Sequence, residues 1–187
     1  MDIEIRQATA DDSEIIALAV VMAIGEGSAK MYCGEHYMEA LQEVAKLEDS
    51  QYGYLNALVA TVGNVAVGAI VGYDGDMLQR LRDNTLAVVR KYNPDLVVVD
   101  DETDGNEFYL DSICVLPEYR CHGVGRMLLT AMRDKAFAAG YKTVGLLVDY
   151  ENPDAERLYV SLGFESVGDK MFCGHRMRHL QSRRNFV

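Results

Sequence analysis

The sequence predicts a mixed α/β fold built around one sheet, and three observations carry that prediction. The chain has 187 residues, 49% hydrophobic and 25% charged, a length that suits one domain able to bury a sizeable core. β-rich runs and helical patterns alternate along it with no linker, repeat or low-complexity stretch between them. The second half holds a strand, a glycine-bearing loop, a helix and another strand in that order, the makings of a right-handed crossover between parallel strands. A fibre, a disordered chain, a disulfide-stapled miniature and a repeat array are excluded by the same numbers.

Each element has its own signal. Asp2 to Gln7 alternates Ile3 and Ile5 with polar residues, the period of a strand. Thr9 followed three residues later by Asp12 marks a helix start, and the apolar run Ile15 to Ile24 supplies its buried face. Glu35 to Leu47 reads as a second helix. Ala57 to Val62 and Val65 to Tyr73 are strands joined by Gly63-Asn64, which can supply the positive φ angles of a tight hairpin. Residues 74–104 read as an insertion: Met77 to Tyr92 has helical spacing with Leu78, Leu81, Thr85 and Val88 on one face, Pro94 ends it, and Asp100, Asp101, Glu102 and Asp104 form an acidic stretch. Glu107 to Val115 is a long strand. A helix then opens near Val124 and runs to about Ala139, with Val124, Met127, Leu128 and Ala131 as its expected buried stripe and Gly140 as its terminator. Val144 to Val148 is a continuous apolar strand. Asn152 as cap and Pro153 at the first helical position begin a last helix that stops at Gly163. Phe164 to Met171 and Gly174 to Leu180 close the chain as strands, followed by basic Arg183 and Arg184.

Composition narrows the partners. Formal net charge is −11. It is unevenly spread: residues 1–115 carry 7 Lys and Arg against 21 Asp and Glu, residues 116–187 carry 11 against 8. This balance excludes a nucleic-acid surface and suits an anion bound by the second half with a cation facing the first. The longest apolar run is too short to span a bilayer, and acidic residues precede it where a secretory signal needs positive charge, so no membrane partner is expected. The four cysteines lack paired spacing and are expected to be reduced thiols of a cytoplasmic protein. Cys173, His175 and His179 would alternate onto one strand face, but no fourth ligand accompanies them and no metal is expected.

The chemistry concentrates in the loop Pro117 to Gly125, at the carboxyl end of a predicted parallel strand, where open α/β sheets bind ligands. Gly123 and Gly125 clear side chains from a helix start whose amides and dipole favour a phosphate, and Arg120, His122 and Arg126 surround that point. The bland alternative is a tight turn whose glycines only permit close packing. A Walker A loop is excluded because Arg126-Met127 stands where Lys-Ser/Thr is required. A dinucleotide fingerprint lacks its third glycine, replaced by Leu128, although Asp149 ends the next strand where a ribose hydroxyl could be met.

Val115-Leu116-Pro117-Glu118-Tyr119-Arg120-Cys121-His122-Gly123-Val124-Gly125 resembles the acyl-coenzyme A signature of the GNAT superfamily of N-acyltransferases, with Arg120, Gly123 and Gly125 matching its Arg/Gln-x-x-Gly-x-Gly/Ala loop. Cys121 departs from the basic or small residue often found at its position. Asn152-Pro153 with Ala155, Tyr159 and Leu162-Gly163-Phe164 is similar to the family's second motif, and Ile5 to Thr9 with Asp12 resembles its opening strand and helix. The resemblance implies a mostly antiparallel mixed sheet of six to seven strands with one splayed parallel pair and helices on both faces. It implies acetyl-coenzyme A as co-substrate, its pyrophosphate on the amides of Cys121, His122, Gly123, Val124, Gly125 and Arg126. The pantetheine arm would add as a strand against Ile113, Cys114 and Val115, and Asn152, Ala155 and Tyr159 would complete the site. A homodimer is a further family expectation.

A lysine-like amine has a pKa of about 10.4 and attacks only when neutral, so a proton acceptor is required. Asp111, sharing a parity with Ile113 and Val115, is the first choice. Glu107 on the same strand and Glu26 in the acidic half are alternatives. Tyr159 stands where the family places the tyrosine that protonates the departing thiolate. Cys114 and Cys121 raise the idea of an acyl-cysteine, but no base is placed for one. The expected activity is N-acetyl transfer by direct attack to a cationic primary amine, either a small molecule or a lysine-bearing peptide. A non-catalytic acyl-coenzyme A sensor and a dinucleotide-binding protein are the alternatives.

Overall fold

The structure, a computed structural model, describes residues 1–96 and 100–184. Strands β1 (Ile3–Gln7), β2 (Ala57–Val62), β3 (Val65–Asp74), β4 (Phe108–Val115), β5 (Thr143–Asp149), β6 (Glu165–Phe172) and β7 (His175–Arg183) form one sheet in the order β1-β2-β3-β4-β5-β7-β6. Every neighbouring pair is antiparallel except β4 and β5. This is not the doubly wound parallel sheet on which a dinucleotide fingerprint normally sits.

Helices cover both faces. α1 (Ser13–Ile24), α3 (Tyr37–Ala45) and α4 (Leu78–Tyr92) bury Ile16, Val20, Leu41, Val44 and Val89 against Val59 and Val71. On the other face α5 (Val124–Ala138) and α6 (Pro153–Ser161) pack against Ile70, Leu110, Leu146 and Leu180. Leu128, Leu129 and Met132 of α5 are buried, each contributing roughly 1.5–3 kcal/mol of hydrophobic stabilisation.

The local signals act as read at several points. The carboxylate of Asp12 accepts from the Thr9 N–H at 2.7 Å and from its hydroxyl at 3.1 Å, closing the turn that leads into α1. Asn152 Oδ1 accepts from Ala155 N–H at 3.2 Å, with Pro153 at the first turn of α6. In the β2–β3 hairpin Gly63 takes φ +58°, while Asn64 is not among the described non-glycine residues of positive φ.

Other readings are corrected. The structure adds a helix, α2 (Glu26–Cys33), that the hydrophobic pattern does not predict, and the second predicted helix is shorter, Tyr37–Ala45. Met127 is 37% exposed rather than buried, because α5 turns Val124, Leu128, Leu129, Met132 and Ala136 to the sheet and Met127 falls outside that ridge. Cys173 sits in the β6–β7 turn at φ +50°, ahead of β7, so it does not alternate with His175 and His179 on a strand. Of the 74–104 segment, α4 lies against α3 and α2, the acidic stretch follows it, and residues 97–99 lie outside the described residues. Among the described residues no single helix is long and apolar enough to cross a membrane; α1 and α2 meet at a 110° bend.

Candidate active site

The site begins with an irregularity in β4. Its register with β3 runs from Gly68↔Val115 to Val71↔Ser112 and then slips to Gly72↔Leu110, leaving Asp111 as the extra residue of a β-bulge. Such a residue bends the strand and sharpens its twist. The parallel pairing of β4 with β5 comprises Phe108↔Val144, Tyr109↔Gly145 and Leu110↔Leu146, and it ends where the bulge begins. Beyond Leu110 the two strands diverge, and a cleft of about 240 Å³, open to solvent, lies between them. Ile70, Ile113, Leu129 and Leu146 supply its apolar walls; Asp111, Ser112 and Tyr159 supply its polar ones.

The bulge also overturns the expected parity of Asp111. Phe108, Leu110, Ile113 and Val115 all pack on the α5 side, whereas Asp111 bonds to Tyr73, which packs with Tyr109 and Leu78 on the opposite face. Strict alternation would have aligned Asp111 with Ile113; one inserted residue separates them.

Past the end of β4 the chain turns through Cys121 (φ +63°) and Gly123 (φ +81°) into α5. Gly123 is in the left-handed region that a side chain disfavours, and a Cβ there would meet nothing within 4 Å, so the turn opens onto free space. Met127 N–H to Gly123 C=O, at 3.0 Å, is the first bond of the helix. The amides of Val124, Gly125 and Arg126 therefore have no partner within α5, the arrangement that receives anions. Arg120, His122 and Arg126 are exposed around this point. Arg120 Nε donates to the Val115 carbonyl at 3.1 Å, the His122 ring nitrogen lies 2.7 Å from the Arg120 carbonyl, and Arg126 donates to Ser161 Oγ at 2.8 Å. The Val115 carbonyl, expected to be open for strand addition, is thus occupied by Arg120.

Tyr159 lines the cleft from α6, its ring edge-on to Phe164 with centroids 6.1 Å apart. Burial pushes its phenol up to about 12. Asn152 and Ala155 are engaged with each other as the α6 cap. Cys114 faces α1, its thiol 3.7 Å from the Ile15 carbonyl, and burial raises that thiol to about 11, which removes it as a nucleophile at neutral pH. Cys121 is exposed in the turn.

The three carboxylate candidates separate cleanly. Asp111 accepts from Ser112 Oγ at 2.6 Å and lies 2.9 Å from Tyr73 Oη; burial raises its pKa. Glu107 is buried and fully occupied, contacting Thr103 Oγ1 at 2.8 Å, Gln181 Nε2 at 2.8 Å and His179 Nε2 at 3.0 Å. Burial pushes its pKa up, but His179, Gln181 and Thr103 together pull it below the ordinary value, so it clamps β4 to β7 rather than serving as a base. Glu26 is exposed and paired with Lys30 at 2.9 Å.

Sequence reasoning missed the groups gathered behind Asp111. Glu102 Oε1 lies 3.0 Å from Tyr73 Oη and 2.6 Å from Gln51 Nε2, and its other oxygen meets Arg82. Burial and the neighbouring charge of Asp111 raise Glu102 to about 7. Nothing in an acidic run such as 100–104 distinguishes one buried carboxylate from its exposed neighbours.

Residues 27–164 match the acetyltransferase (GNAT) family. A solved structure described as that of an acetyltransferase is 31% identical over 97% of this chain and 100% of its own, with a TM-score of 0.82. An N-acetyltransferase from Staphylococcus aureus Mu50 is 24% identical, covering 95% of this chain and 99% of its own, with a TM-score of 0.80. YncA, a putative acetyltransferase from Salmonella typhimurium solved with its cofactor acetyl-CoA, is 20% identical, covering 100% of this chain and 96% of its own, with a TM-score of 0.61. A search of curated proteins found no match. With the split parallel pair, the glycine turn into α5 and these likenesses in one chain, the protein belongs to the acetyltransferase (GNAT) family.

Proposed function

We propose that the protein transfers an acetyl group from acetyl-coenzyme A to a cationic primary amine by direct attack. The observation that carries this is the gap between β4 and β5 beyond Leu110, with the helix-start amides of α5 following the end of β4. Amides 121–126 and Arg120 suit the diphosphate, and the open edge of β4 suits an extended pantetheine arm, which would displace Arg120 from the Val115 carbonyl. A backbone N–H on that edge can polarise the thioester carbonyl. Asp111, at the inner end of the gap, takes a proton from the ammonium so that its nitrogen can attack; Tyr159 donates a proton to the departing thiolate. The acidic first half, with Asp111 lining the cleft and Glu102 buried behind it, favours a cationic acceptor over a neutral one.

A thermal-shift titration with acetyl-coenzyme A, followed by a thiol-release assay across polyamines, aminoglycosides, amino sugars and lysine-bearing peptides, tests the reading. Stabilisation by the coenzyme and thiol release with at least one amine are expected. Stabilisation without release for every amine would make the protein an acyl-coenzyme A sensor, and no stabilisation would end the proposal.

A further inference from the structure

The Tyr73 hydroxyl carries one proton, yet its oxygen lies 2.9 Å from Asp111 Oδ2 and 3.0 Å from Glu102 Oε1. With both carboxylates ionised, one of these contacts would set lone pair against lone pair in a buried site. Both contacts become hydrogen bonds only when one carboxyl is protonated and donates to Tyr73 while Tyr73 donates to the other. Charge agrees with this count. The Arg82 guanidinium pairs with Glu102 and Asp101, and although its charge also favours ionised Asp111, burial outweighs it and raises that carboxyl.

We propose that Asp111 and Glu102 share one proton through Tyr73, and that Glu102 is a positioning residue that readies Asp111 to accept the proton of the amine. The proposal rests on the reading of Asp111 as the base. With the proton on Asp111, the carboxyl donates to Tyr73 and Tyr73 donates to Glu102, whose charge Arg82 balances. An ammonium arriving beside Asp111 favours the other arrangement: the Asp111 proton passes to the Tyr73 oxygen as the Tyr73 proton passes to Glu102. Asp111, now a carboxylate, takes a proton from the ammonium. The N–H bond breaks, an O–H bond forms, and the nitrogen keeps the electron pair with which it attacks. The pair then holds two protons and releases one to solvent after turnover.

A second observation points to a ligand at the same place. Gln51 is 1% exposed and donates through Nε2 to Glu102, but its Oε1 has no partner among the described residues, and the same is true of the buried Tyr32 hydroxyl. An ammonium, with three donors, is the kind of group that satisfies such acceptors. The other titratable groups that feel the pair are Tyr32 on α2, Tyr52 after α3 and Tyr109 on β4, with Cys173 in the β6–β7 turn facing Glu102; burial raises each of them, so they stay protonated at neutral pH.

Carboxyl carbon NMR of the protein labelled at Asp and Glu tests the shared proton without any acceptor. Two coupled titrations are expected, one near pH 7, and Tyr73→Phe should uncouple them; curves unchanged in Tyr73→Phe would overturn the proposal. With an amine that supports turnover, Glu102→Gln should lower kcat roughly tenfold and move the acid limb of its pH profile down by about one unit, leaving the KM for acetyl-coenzyme A unaltered. A Glu102→Gln protein that melts like the parent and keeps both kcat and that limb would refute the positioning role. An amine panel that gives no turnover would instead count against the proposed activity, and the NMR titration would still decide the shared proton.

Discussion

Tyr159→Phe isolates a single oxygen. The ring packs against Phe164 at 6.1 Å and a phenylalanine ring keeps that packing, so stability should change by no more than about 0.5 kcal/mol. The chemical effect follows from burial. A phenol raised to about 12 lies above a free thiol of pKa about 8.5, a gap of roughly 3.5 units or about 5 kcal/mol against complete proton transfer. The apolar cleft narrows that gap, because the desolvation that raises the phenol also makes a buried thiolate more basic. Tyr159 should therefore act by a strong hydrogen bond and partial transfer, at the low end of general-acid effects, and its removal should cut kcat by roughly 10²-fold, about 2.7 kcal/mol. The assay is thiol release under saturating acetyl-coenzyme A and amine, with coenzyme affinity measured by calorimetry and expected to stay within about twofold. A phenol at about 12 also leaves kcat without a basic limb below about pH 10. Turnover within twofold of the parent, or a basic limb below pH 10 that disappears in Tyr159→Phe, would refute this reasoning.

Four further outcomes can be checked. Gly145→Ala should destabilise the fold by about 2 kcal/mol in urea melts, since its Cβ would sit 1.8 Å from Glu107 Oε2 and displace a buried carboxylate that three side chains hold. Arg120→Ala should weaken coenzyme binding roughly tenfold at low salt and less at high salt, as expected of an exposed cation facing phosphates; calorimetry at two ionic strengths reads it. Because Glu102 is raised from 4.5 to about 7, the folded state binds more protons than the unfolded one between those values, and stability should fall by about 1–3 kcal/mol as pH rises through that window. Denaturant melts across it should show a flatter profile for Glu102→Gln. Cys114→Ala should lose about 1 kcal/mol of stability and keep its turnover, because its thiol is raised to about 11 and faces α1; loss of turnover in a folded variant would revive an acyl-cysteine route.

Local chemistry written over a few residues was readable in advance. Alternation in Ile3–Gln7, the Thr9–Asp12 cap, the Asn152-Pro153 helix start and the Arg120 to Gly125 turn each depend on neighbours within a handful of positions, so sequence periodicity and capping rules reach them. The proposed coenzyme end of the site is legible for the same reason, because a helix start presents its amides whatever lies elsewhere in the fold.

The acceptor end was not legible. Whether Asp111 shares a face with Ile113 depends on how β4 registers with β3, a pairing between residues some forty positions apart, and a one-residue slip reverses the face without changing a letter of the sequence. Glu102 looked like any residue of a solvated acidic stretch until the chain after α4 carried it beneath Tyr73 and beside Arg82. The sequence by itself determined which residues begin helices, alternate in strands and expose amides to an anion, since those are short-range steric and hydrogen-bonding properties. Tertiary structure alone decided which carboxylates lose water together and must share a proton, because desolvation belongs to the packed assembly and not to any residue within it.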